Sequence, residues 1–120
     1  MNGKLNARSD VTMFALEIAN RTRWVASKSF SGGPVDGIDG LNFGILPEYF
    51  REFVKDATYA VYSYETPIVV QVDGKWLVPD AGYGPTTGKH VTAITRALDS
   101  IGAAWEKIPG PDGKRIKVNR

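Results

Sequence analysis

His90 is the chain's single histidine. Near it in sequence stand Ser63, Asp80, Thr86 and Thr87, the residue types that supply a nucleophile, a general base and an orienting carboxylate. Such a set would attack an acyl or phosphoryl group through a hydroxyl. The same stretch, Gly84-Pro-Thr-Thr-Gly-Lys89, follows a strand pattern and opens a helix, as phosphate-binding loops do. The Walker pattern, however, needs four residues between its glycines and a Ser or Thr after the lysine. Here three residues separate Gly84 from Gly88, and His90 stands where the magnesium-binding hydroxyl belongs. A nucleophile elbow is also missing, since no Gly-x-Ser-x-Gly surrounds Ser63. The pattern reads as a helix start capped by Thr86 or Thr87, whose exposed amides can hold an anion. The helix dipole and the neighbouring Lys89 both disfavour a charged His90 ring. A structural histidine is therefore expected, tying the helix start to the strand pair that carries Tyr64. An enzyme built on Tyr64, Thr86, Thr87 and His90 would need those side chains to meet in one pocket.

Other chemistry finds fewer residues to work with. The 120 residues include no cysteine, which removes disulfides, thiolate nucleophiles and cysteine-ligated metals. One histidine does not build a His-rich zinc site, so no metal and no cofactor is expected. Asp36 and Asp39 lie in Asp36-Gly-Ile-Asp-Gly40, loosely like a calcium loop, but the closing glutamate of an EF-hand is absent. They read as turn residues. Tyr59, Tyr62 and Tyr64 fall on one strand, with Tyr62 and Tyr64 sharing a face. Base stacking would need interleaved basic residues, and Val61, Ser63 and Glu65 occupy those places. These tyrosines, with Trp24, Trp76 and Trp105, read as core and rim.

Charge is small overall but unevenly placed. The net charge is +2; residues 1–28 hold five cations and two anions, residues 29–104 five and nine, and residues 105–120 five and two. Two basic ends flank an acidic middle. Lys114, Arg115, Lys117 and Arg120 are thus the candidate nucleic-acid contacts, although the whole-chain charge is modest for such a role. With 42% hydrophobic and 23% charged residues, the chain has the balance of an ordinary globule. Its length suits one domain that buries about two-thirds of its unfolded surface, with residues 1–8 as a flexible leader. No apolar run approaches the ~18 residues of a membrane span, and Met1 to Asp10 lacks the apolar stretch of a secretory signal. A cytoplasmic protein without a membrane partner is expected.

The elements that must position these residues follow from hydrophobic periodicity. Ser9-Asp10 caps a first helix with Val11, Phe14, Ala15 and Ile18 on one stripe, running on toward Trp24 and Val25. Glu17 and Arg21 stand four apart, as a surface ion pair would. Ser29 to Gly44, rich in glycine, reads as a long connection. Pro47 opens a second helix to Ala57, with Phe50, Phe53, Val54 and Ala57 inward. Thr58 to Tyr64 is a strand, and Pro67 marks a bend or an edge. Ile68 to Val72 and Lys75 to Val78 form a hairpin about Asp73-Gly74, apolar on both faces and hence covered on both. A third helix buries Val91, Ile94, Leu98 and Ile101 and stops at Gly102. Ala104 to Ile108 and Arg115 to Val118 bracket Pro109-Gly-Pro-Asp-Gly113 as a C-terminal hairpin. The fold class is α+β, three helices on a mainly antiparallel sheet.

Tyr62-Ser-Tyr-Glu-Thr-Pro-Ile68 and Tyr83-Gly-Pro-Thr-Thr-Gly-Lys-His90 carry a resemblance. The block resembles one found in small proteins of bacteriophages and other bacterial mobile elements, S-Y-x-T-x-I, then an apolar strand, then Y-S-x-T-T-S-x-H. Leu16-Glu-Ile-Ala-Asn20 echoes that family's first helix. Two departures stand out, because the family's serines are Gly84 and Gly88 here, and Ser31 to about Glu52 forms a longer insert. The resemblance implies a mobile-element accessory protein and transfers no catalytic residue, since none are assigned. The expected partner is a host or phage protein, with nucleic acid as the alternative. Tyr64, Tyr83, Thr86, Thr87, Lys89 and His90 are the candidate binding residues.

Overall fold

The computed structural model describes residues 11–37 and 43–118, and of residues 11–15 the backbone alone. The elements are α1 (Val11–Asn20), β1 (Trp24–Ser27), β2 (Phe30–Pro34), α2 (Glu48–Val54), β3 (Tyr59–Ser63) and β4 (Thr66–Val72), then β5 (Lys75–Pro79), β6 (Ala81–Gly82), α3 (Pro85–Ser100), β7 (Trp105–Ile108) and β8 (Ile116–Lys117). The main sheet has the order β1-β2-β3-β4-β5-β7. Every pair in it is antiparallel except β5 with β7. The fold is α+β. The parallel pair needs a crossover, and α3 supplies it.

The two faces of the sheet carry separate cores. Tyr59, Val61, Trp76 and Val78 meet Ile18 of α1 and Ala93, Ile94, Ala97 and Leu98 of α3 on one face. Ala60, Val70 and Leu77 meet Phe50 and Val54 of α2 on the other. Alternation along the strands produces this division, and it explains why β4 and β5 read as apolar on both sides. The β4–β5 hairpin turns at Asp73 (φ 51°) and Gly74 (φ 79°), with Val72 opposite Lys75 and Val70 opposite Leu77, as expected from the dipeptide. Two positive φ values make this the I′-type turn that suits strand twist.

Pro67 lies in a central strand, not at an edge. The register slips between Val61 and Tyr62, which face Val69 and Pro67. Ile68 is the extra residue of a bulge, where a proline is tolerated. The bulge also turns both Ile68 and Val69 into the α1–α3 core.

Four further expectations are corrected. The first helix does not reach Trp24. Arg21 adopts φ 55°, its N–H donates to the Ile18 carbonyl at 3.1 Å, and the Thr22 N–H donates to the Glu17 carbonyl at 2.9 Å. This is a Schellman closure with arginine in the place usually held by glycine, which is why sequence periodicity overran it. The Glu17 carboxylate takes the Thr22 hydroxyl in place of the expected Arg21 pair. The expected cap at Ser9-Asp10 lies outside the described residues, as do the side chains of Val11, Phe14 and Ala15.

Second, the glycine-rich segment after Ser29 holds β2, paired with both β1 and β3. Third, Phe53 and Ile101 are exposed, and α2 spans only Glu48–Val54, with Pro47 at its N-cap. A helix this short turns only Phe50 and Val54 fully inward. Fourth, the two C-terminal segments do not pair as a hairpin. Ile108 of β7 runs beside Pro79, and Ile116 of β8 beside Ala81. β7 thus lies parallel along β5 and β8 parallel along β6, so the segments flank successive strands instead of each other.

Candidate functional site

Ser63, Thr87 and His90 meet between β3 and the first turns of α3. The Ser63 Oγ lies 2.8 Å from His90 Nδ1 and 2.9 Å from Thr87 Oγ1, so one serine holds two residues of the helix. All three are buried: Ser63 and Thr87 are 0% exposed and His90 is 7%. Thr87 and His90 are three apart on α3, which puts both on the face turned to the sheet. Ser63 is directly across from Phe30 in the β2–β3 ladder, so the two side chains share a face. The Phe30 ring accordingly stacks on the His90 ring at 4.1 Å and 8°. Trp24 then abuts Phe30 edge-on at 5.0 Å and 89°. The sequence offered Ser63, Thr87 and His90; Phe30 was missed, because β2 was read as a connection.

The contact resembles the hydroxyl–imidazole half of a nucleophilic site, but its surroundings differ. A substrate carbonyl has no path to an Oγ atom that is fully buried. Asp80, the nearby carboxylate, is engaged elsewhere, its Oδ1 3.2 Å from Arg115 Nε. The chemistry the arrangement performs well is tethering: buried hydroxyls and a ring nitrogen satisfy one another and fix α3 against β3.

The remaining candidates do not join this cluster. Tyr64 sits at the β3–β4 turn with φ 57° and is exposed, so it does not share a strand face with Tyr62. It borders a surface depression with Lys28, Ile45 and Thr66. Thr86 and Lys89 are exposed. Neither threonine caps α3: the N-cap is Gly84, Pro85 occupies the first turn, and no side chain closes the end. Proline at the first helical position is the reason, since it moves the start upstream of both hydroxyls. The helix closes as expected, with Gly102 at φ 70° and the Ala103 N–H donating to the Leu98 carbonyl at 2.9 Å. Lys114 and Lys117 are exposed near β8, Arg115 is drawn to Asp80, and Arg120 lies outside the described residues.

A prediction separates the two threonines. Thr86→Ala should leave the denaturation midpoint within experimental error, whereas Thr87→Ala should cost about 1 kcal/mol, because a buried hydroxyl bond to Ser63 is lost while Ser63 keeps His90. Equal losses from both would mean that the hydroxyls act as caps after all.

Tyr83 lies on the neighbouring flank of α3. It is half-buried, and its hydroxyl meets no partner among the described residues. Burial raises its phenol above the ordinary value, as it does for Tyr59 and Tyr62. In Tyr59 the hydroxyl donates to the Thr22 carbonyl at 2.7 Å. A raised phenol favours the fold at neutral pH, and that contribution is lost only as pH climbs beyond the ordinary tyrosine value.

Among the described residues no group of three or more His, Asp or Glu is placed to hold a metal ion, and no helix is long and apolar enough to cross a membrane. No curated protein and no solved structure matches the chain. Residues 17–107 match a family of unknown function, DUF8033, a span that runs from the end of α1 to β7 and contains both the Ser63–His90 tether and the Tyr83 flank. The chain belongs to the DUF8033 family.

Proposed function

We propose that this protein is an accessory protein of a bacteriophage or related mobile element, acting in the bacterial cytoplasm by binding a host or phage protein and not by catalysis. The observation that carries the reading is the outer face of α2. Tyr49 and Phe53 are 40% and 38% exposed, with rings 5.5 Å apart, on a helix anchored by the fully buried Phe50 and Val54. Aromatic side chains held rigidly at a surface are the usual anchors of protein interfaces. Charged residues rim them, including the Glu52–Lys55 pair at 3.0 Å. Support for the mobile-element origin comes from the Ser63–Ile68 and Tyr83–His90 block. Support for binding over turnover comes from the burial of Ser63 and His90.

The test uses the tagged full chain against bacterial host lysate, with and without nuclease treatment. Capture of a discrete protein should fall at least about ten-fold in the Tyr49→Ser/Phe53→Ser variant, with the thermal midpoint preserved. Undiminished capture by that variant would overturn the assignment to α2. Capture that vanishes with nuclease treatment or moderate salt would instead favour a phosphate contact.

A further inference from the structure

We infer that the partner segment seated on α2 is basic and carries an arginine, stacked against the Tyr49 and Phe53 rings with its guanidinium turned to the acids beside them. This rests on the reading of α2 as the protein-binding face and adds the chemistry of what that face binds.

Helix geometry sorts the side chains of α2 into stripes. With successive residues about 100° apart, Tyr49 and Phe53 lie between the buried stripe of Phe50 and Val54 and an exposed stripe of Glu48 and Glu52. Arg51 and Lys55 fall on the flank away from the rings. Both bases are engaged. The Arg51 guanidinium lies over the Phe43 ring at 5.0 Å, with its Nε 3.4 Å from the Leu46 carbonyl, and Lys55 reaches Glu52 at 3.0 Å. Asp56 is exposed just past the helix. Asp36 is exposed at the same end, where the Gly37 N–H donates to the Ala57 carbonyl at 2.8 Å. Glu48, Asp56 and Asp36 form no ion pair with a described residue. The surroundings of α2 therefore hold unmatched negative charge.

Rings and carboxylates select the same ligand charge. The face of an aromatic ring attracts a cation, and the acids beside it repel an acidic partner. Arginine suits both, because its planar guanidinium stacks on a ring and donates as a fork to a carboxylate. Its methylenes cover the apolar surface between. Arg51 over Phe43 is the same contact made once already within the chain. Tyr49 is braced against the buried Phe50 at 5.4 Å and 72°, so the rings give up little freedom when a partner seats.

The experiment titrates the full chain, isotope-labelled for amide NMR, with two synthetic amphipathic helical peptides. They differ only in bearing arginine or glutamate at every charged position. The arginine peptide should shift the amides of residues 48–56 saturably, bind at least about ten-fold more tightly than the glutamate peptide, and weaken as salt rises. Glu48→Gln/Glu52→Gln should weaken it about five-fold with the thermal midpoint preserved, and should lower capture of the lysate protein as well. The inference is overturned if the glutamate peptide binds equally, if the shifts lie away from α2, or if the glutamine variant binds and captures as wild type does. Loss of capture in Tyr49→Ser/Phe53→Ser with the glutamine variant unaffected would keep α2 as the binding face and remove the basic partner. Undiminished capture in both variants would remove the reading of α2 itself. Self-association of the free chain in sedimentation, abolished by the serine pair, would make a second copy the occupant and overturn the inference too.

Discussion

His90→Ala should lower the unfolding free energy by about 3 kcal/mol, which for a chain of this size moves the thermal midpoint by roughly 10 °C. Three losses combine. The ring that stacks on Phe30 at 4.1 Å leaves a cavity beneath a fully packed face. The Ser63 hydroxyl loses its ring-nitrogen partner in a site with no solvent exposure, a change that costs on the order of 1–3 kcal/mol. Thr87 must then hold Ser63 alone. Ser63→Ala should cost less, about 1–2 kcal/mol, because the ring stays in place. The double variant should be less destabilised than the sum of the singles, since both report on one contact. Binding of the protein's partner should decline only in step with folding. A His90→Ala protein with wild-type thermal stability but no biological effect would show that the histidine serves chemistry and not the fold.

Gly32→Ala should be the second most damaging single change, at about 2 kcal/mol, while its neighbour Gly33→Ala should be close to neutral. In the β1–β2 ladder Gly32 lies opposite Trp24, and the indole crosses directly over it. A Cβ placed there would stand 2.6 Å from Trp24 Nε1 and 2.8 Å from the nearest ring carbon, far inside contact distance. Trp24 is buried and wedged against Phe30, so it has no room to yield. Overpacking of this kind costs about 1–3 kcal/mol, against a gain of roughly 0.4–1 kcal/mol from stiffening the unfolded chain. At Gly33 the added Cβ would meet only Arg23, at 3.4 Å, and the stiffening gain remains. Trp24→Phe combined with Gly32→Ala should recover part of the loss, because a smaller ring vacates the clash. Chemical denaturation of the four proteins checks the whole set. Equal stability of the two alanine variants would mean that the indole does not rest on Gly32.

The local chemistry of the chain was legible without coordinates wherever one short stretch decided the outcome. Asp73-Gly74 dictated its own turn and therefore the register of β4 and β5. Pro47 and Gly102 marked a helix start and a helix end, and the Ile94 and Leu98 stripe marked the buried face of α3. Phage-type kinship was suggested by motif alone, and membership of a family of unknown function stands beside it. Where two distant segments had to agree, sequence was silent. Nothing near Ser29 announces a strand, because one of its glycines, Gly32, serves to admit the Trp24 indole from the neighbouring strand. The closure of α1 depends on an arginine at positive φ, a state its own propensity disfavours and packing enforces. Phe30, Ser63, Thr87 and His90 come from a strand, its neighbour and a crossover helix. Only the register of β2 on β3 and the docking of α3 bring them together, Phe30 by stacking on His90 and the other three by hydrogen bonds.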